Sequence, residues 1–149
     1  MYEDVVEVRE RIRPLKAFES TTEKVKIGIN QEKYVVVEDL DLDQVENDLK
    51  RLKFEGGFDS VAVVLMHSFA CPENELRIGE IAKKIGFSQV SLSHQIMQRI
   101  KLVKRGQTCC VDAYLNPHSK WYLFKVLSLQ SIGTFRVSRE ASTISFWIE

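Results

Sequence analysis

The chain has 149 residues, 44% of them hydrophobic, which is enough apolar material for one modest domain with a buried core. Lys and Arg total 21 and Asp and Glu total 21, so the formal net charge is zero and no long single-sign block speaks for a nucleic-acid or membrane-surface partner. The three cysteines, Cys71, Cys109 and Cys110, are odd in number and a bridge between neighbours would be strained; no leader pattern opens the chain and no apolar run reaches the roughly 18 residues of a membrane helix, so a reducing, cytosolic setting is expected.

In chain order, Val5, Val6, Val8 and Ile12 alternate with charged residues as far as Pro14, which predicts a strand with one exposed face. A polar stretch from Leu15 to Glu23, with its Ser-Thr-Thr cluster, leads to a second alternation at Val25, Ile27 and Ile29. A third short strand is predicted over Tyr34 to Val37, with the turn between them at Asn30, Glu32 and Lys33. Asp41 is placed to cap a helix whose apolar face is Val45, Leu49 and Leu52, and Gly56-Gly57 is placed to end it.

Ser60 to Met66 is an almost unbroken apolar run, the pattern of a strand buried on both faces. Pro72 precedes a second helix with Ile78, Ile81, Ala82 and Ile85 on one side and Gly86 at its end. Val90 and Leu92 mark another short strand. The order helix, buried strand, helix, strand is that of an α/β layer. After a basic patch at Arg99, Lys101, Lys104 and Arg105, a helix is predicted over Thr108 to Leu115, with Thr108 as its cap and Asn116-Pro117 as its break. From Lys125 onward no helical period is evident.

Gly56-Gly57-Phe58-Asp59-Ser60 has glycines in number for a phosphate loop but in the wrong order. Such loops aim backbone N–H groups from a helix start after a strand, whereas these glycines follow a helix and precede a strand, so they read as a helix terminus. His67 and Ser68 stand at the carboxyl end of the buried run, where open α/β sheets place their ligand crevices, although polar residues also mark a strand's exit into solvent. His67 with Cys71 lacks the further donors that would complete a tetrahedral zinc site, so no metal is expected. Lys104, Arg105, Gly106 and Gln107 before a helix capped by Thr108 could hold an anion or form a solvated basic turn, and both readings stand; Asp112 lies one turn further on.

The run Val61-Ala62-Val63-Val64-Leu65-Met66-His67-Ser68-Phe69 resembles the hydantoinase/5-oxoprolinase family. So, in order and spacing, do Gly86-Phe87 with Val90-Ser91-Leu92-Ser93, Arg105-Gly106-Gln107-Thr108 and Val111-Asp112-Ala113-Tyr114-Leu115. Tyr2 to Val8 with Glu10-Arg11 looks like the family's early strand. The Met-His-Ser and Asp-Ala-Tyr-Leu wording is nearest to the family's eukaryotic, ATP-dependent branch. The likeness fades after Tyr122, and Gln98-Arg99-Ile100 departs from a proline often found there.

The resemblance implies a partial actin/sugar-kinase-like (ribonuclease H-like) layer, with a mixed sheet and helices. It divides the chain into 1–90, the end of an N-terminal region, 91–124, the start of a hydantoinase A-type domain, and a divergent tail, 125–149. For the complete enzyme it implies ATP- and magnesium-dependent opening of a small cyclic amide, 5-oxo-L-proline, to glutamate in glutathione metabolism, within a homo-oligomer. A glycine-threonine-rich phosphate loop is expected upstream of the matched region, so this stretch is expected to be inactive alone and to bind no cofactor tightly. A non-catalytic α/β interaction module and a piece of a related ATP-dependent hydantoinase or carboxylase subunit are the alternatives. Candidates for contact with substrate or an anion are Arg105, Thr108, His67 and Asp112.

Overall fold

The computed structural model describes residues 3–16 and 22–129. By its contacts the chain divides into two units, Met1–His118 and Ser119–Glu149. Residues 17–21 of the polar stretch, with Ser20 and Thr21 of its Ser-Thr-Thr cluster, and all of the tail beyond residue 129 lie outside the described residues.

The first sheet is built from β1 (Arg11–Pro14), β2 (Val25–Ile27) and β3 (Lys33–Glu38), antiparallel in the order β1-β3-β2. The expected first strand is thus shorter than its alternation suggested: residues 5–10 carry valines but no ladder, and pairing begins at Arg11, where the register shifts against β3. The β2–β3 turn closes with Gln31 N–H donating to Gly28 O at 2.9 Å and Gly28 N–H to Glu32 O at 2.8 Å. Gln31 takes φ of 64°, and a Cβ on Gly28 would meet the Tyr34 ring at 2.8 Å, so this turn needs its glycine for space. Ile12, Tyr34, Ala70 and Cys71 form a small core beneath this sheet.

Helix α1 (Leu42–Phe54) starts where its cap predicts: Asp41 Oδ1 accepts from Gln44 N–H at 3.0 Å, and Val45 and Leu49 are buried. Its end is the glycine pair. Gly56 has no room for a side chain beside Phe58, and Gly57 takes φ of 69°, so the pair is a helix terminus.

β4 (Ser60–Val63) pairs in parallel with β5 (Gln89–Leu92), and α2 (Glu73–Ile85) makes the crossover, ending on Gly86 at φ of 103°. Val61, Val63, Val90 and Leu92 point to the helix side, where Val45, Leu49, Ile78, Ala82 and Phe87 complete the main core. The alternate residues Gln89 and Ser91 face the other way, toward α4 (Leu102–Leu129), which follows the short helix α3 (Ser93–Ile96). The described strands therefore form two small sheets with helices, a mixed α/β arrangement, and not one mixed sheet.

Three expectations need correction. The buried strand stops at Val63, and Val61 and Ala62 stay half-buried, because β5 is the only strand beside β4 among the described residues. Thr108 is no cap: α4 begins at Leu102, so Thr108 lies inside the helix and its hydroxyl donates to Lys104 O at 3.0 Å, one turn back. Pro117 does not break α4, which runs through it to Leu129, and the stretch 125–129 is helical despite lacking an apolar period.

Candidate functional site

The carboxyl ends of β4 and β5 lie side by side, the position at which parallel α/β sheets open their crevices. Here that position is filled by protein. Glu75, in the first turn of α2, is completely buried, and each of its carboxylate oxygens accepts two hydrogen bonds. Leu65 N–H and Ser93 Oγ–H donate to Oε1 at 2.7 and 2.6 Å; His94 N–H and His94 Nδ1 donate to Oε2 at 3.1 and 2.7 Å. Two donors per oxygen exhaust the lone pairs of a carboxylate, so this buried charge is compensated without solvent. The His94 ring is thereby fixed with its proton on Nδ1.

Arg105 comes to the same place from α4 and is 0% exposed. Its Nε donates to Ser93 Oγ at 2.9 Å, Nη1 to Arg99 O at 2.7 Å, and Nη2 to Met66 O at 2.9 Å and to Leu65 O. Its guanidinium also lies 5.8 Å from the centre of the Phe69 ring. Burial lowers its pKa while the Glu75 carboxylate opposes that shift. Ser68 closes the group: its hydroxyl donates to Leu65 O at 3.0 Å and lies 3.2 Å from Ser93 Oγ. One glutamate, one arginine and two serines thus tie α2, α4 and both strand ends together.

His67 lies beside this network. Its ring stands 5.6 Å from that of Tyr34 and 6.0 Å from that of Phe69, and its Nδ1 is buried with no hydrogen-bond partner. Burial first, and the Arg105 cation second, hold its pKa below the ordinary imidazole value, which favours the neutral ring. Asp112 belongs to a second cluster, on the polar face of β5. Ser91 Oγ donates to its Oδ2 at 2.7 Å, and Asn116 Nδ2 approaches both carboxylate oxygens at 3.2 Å. Between the two clusters Cys109 Sγ lies 3.2 Å from Ser91 O, and burial followed by the Glu75 charge pushes its thiol up to about 12.

Of the four sequence candidates, the structure brings Arg105 and His67 to one strand end, places Asp112 one face away, and leaves Thr108 bonded within its own helix. Glu75, Ser93 and His94 are not among those candidates, and Ser93 figures in the sequence only within the Val90–Ser93 likeness. Ser93-His94 was findable by the rule that marked His67-Ser68, since Ser93-His94 directly follows β5, whereas His67-Ser68 lies four residues beyond the end of β4. Glu75 carried no such signal, because an acidic residue in a first helical turn is ordinary.

ATP with magnesium, the group that the resemblance implies, does not fit the described residues. The Arg105 guanidinium is engaged by four protein acceptors, the Thr108 hydroxyl is bonded to Lys104 O, and Gly56-Gly57 leads into a strand and not into a helix start.

The pattern of the hydantoinase/oxoprolinase N-terminal region matches residues 1–86. The chain is 38% identical to a 5-oxoprolinase of Dictyostelium discoideum over 130 residues, covering 83% of this chain and 10% of that protein. It is 37% identical to 5-oxoprolinase 1 of Arabidopsis thaliana over 129 residues, covering 86% and 10%. It is 35% identical over 86 residues to an acetophenone carboxylase gamma subunit of Aromatoleum aromaticum, covering 54% and 12%. The chain therefore spans about a tenth of the length of these relatives. A match across more than half of the chain, joined to this identity with several long relatives, places it in a family: the chain belongs to the hydantoinase/oxoprolinase N-terminal region family.

Proposed function

We propose that this chain is a scaffolding portion of an ATP-dependent 5-oxoprolinase-like hydrolase. In the complete enzyme the reaction is the opening of 5-oxo-L-proline to glutamate, in the cytosol and within a homo-oligomer, with ATP and magnesium held by segments outside this stretch. Its α/β layer would be part of an actin/sugar-kinase-like fold, and 91–124 would lead into a hydantoinase A-type domain.

The observation that carries this reading is the saturation of the strand-end network. Glu75 accepts four hydrogen bonds and Arg105 makes four donations, all within the chain, so the groups best suited to bind an anion or move a proton are engaged in holding the strand ends. Support from kinship comes from relatives named 5-oxoprolinase.

The purified chain should hydrolyse no ATP in response to 5-oxoproline. A complete 5-oxoprolinase deleted for the matching stretch should regain activity when the chain is supplied in trans. Turnover by the chain alone would overturn the reading. Offering 5-oxoproline, hydantoin and acetophenone to the reconstituted enzyme separates it from a hydantoinase or carboxylase component.

A further inference from the structure

One nitrogen at the strand ends is left over by the network that fills them. His94 is the second residue after β5, and its Nδ1 donates to Glu75 Oε2 at 2.7 Å. Glu75 is 0% exposed and accepts four hydrogen bonds, so the imidazole is held in one tautomer with its lone pair on Nε2. Among the described residues no group bonds Nε2. The buried side-chain nitrogens and oxygens that lack a partner there are His67 Nδ1 and Asn74 Oδ1, so Nε2 lies in the 11% of the His94 side chain that still meets solvent.

We infer that His94 Nε2 is a ligand contact, and that it accepts a hydrogen bond from the ring N–H of the cyclic amide opened by the complete enzyme. The identity of that ligand rests on the function proposed above; the open acceptor does not. Position is the first support, because His94 stands at the carboxyl end of a parallel strand, where α/β sheets meet their ligands. Polarity is the second. A bare ring nitrogen backed by a carboxylate takes a donor and disfavours an anion, so a phosphate or the carboxylate of a substrate is unsuited to it, whereas a neutral N–H matches it. Rigidity is the third: the His94 backbone N–H and ring both bond Glu75 Oε2, at 3.1 and 2.7 Å, so a ligand finds the acceptor already oriented. His67 differs in this respect, since its Nδ1 is buried without a partner and nothing fixes which ring nitrogen carries the proton. Glu75 is then a positioning residue, acting on the ligand through His94.

The test uses a complete 5-oxoprolinase deleted for the matching stretch and supplied with this chain in trans, wild type or His94→Asn. The asparagine amide nitrogen takes the place of Nδ1 and keeps the donation to Glu75, while Nε2 is lost. KM for 5-oxoproline should rise about tenfold, the scale of one hydrogen bond, with kcat changed by less than about twofold. Inhibition by the lactone acid that carries a ring oxygen in place of the N–H should be the same for both chains. An unchanged KM in His94→Asn overturns the inference. So does a variant that weakens lactam and lactone alike, since that is a general loss of fit and not of one contact. A wild-type chain that restores no activity sinks the enzyme reading itself, and the ligand assigned to Nε2 falls with it.

Discussion

Glu75 and Arg105 do not touch; Ser93 stands between them, donating to Glu75 Oε1 at 2.6 Å and accepting from Arg105 Nε at 2.9 Å. A single hydroxyl therefore couples the two buried charges, and all three residues are 0% exposed. Removing any one leaves the others desolvated and short of a partner, which costs more than the bond itself is worth.

Arg105→Met and Glu75→Gln should each lower unfolding stability by about 3 kcal/mol, the scale of a buried charge left without its partner. Ser93→Ala should cost about 1–3 kcal/mol, since it leaves a buried donor and acceptor unsatisfied together. The three share one network, so the double variant Glu75→Gln/Arg105→Met should cost less than the sum of its parts. Urea denaturation of the four variants measures this, and strict additivity would show the groups to be independent.

Protonation of His67 should weaken the fold. Its folded pKa lies below the unfolded value of 6.5, so the unfolded chain binds the proton first and the native state is disfavoured as pH falls. Stability attributable to this ring is present above 6.5 and is lost as pH drops through that value toward the folded pKa. Urea midpoints measured at steps from pH 7.5 to pH 5 should fall more steeply for the wild type than for His67→Phe.

Thiol chemistry should sort the cysteines by depth. Cys109 is fully buried and its pKa is pushed up to about 12, Cys71 is buried with its thiol pushed up by desolvation, and Cys110 is half-exposed. At pH 8 a disulfide reagent should label Cys110 first, while Cys109 reacts only as the chain unfolds. Mass spectrometry of the labelled peptides checks the order, and early labelling of Cys109 would contradict the packing of α4 on the strand ends.

The helix termini offer a smaller, local test. Gly86→Ala should cost about 1–2 kcal/mol, because φ of 103° is strained for any residue with a Cβ. Asp41→Ala should cost about 1 kcal/mol through loss of the bond to Gln44 N–H. Thermal unfolding should rank Gly86→Ala at or below Asp41→Ala.

What the sequence determined by itself were the features with short-range causes. Asp41, Gly57 and Gly86 mark helix ends through their own backbone chemistry, and the periods of Val45-Leu49 and Ile78-Ala82 identify helix faces that the core indeed covers. By such local rules Arg105-Gly106-Gln107 reads as a turn ahead of a helix capped by Thr108, and only the folded chain places it within α4, where Arg105 meets the carbonyls of Leu65 and Met66, about forty residues away in sequence. The pairing of Glu75 with Ser93 and His94 was likewise decided by tertiary structure. The parallel register of β4 on β5, and the crossover that returns α2 over both, bring those groups together, and no local pattern encodes a contact whose partners are chosen by where two strands end.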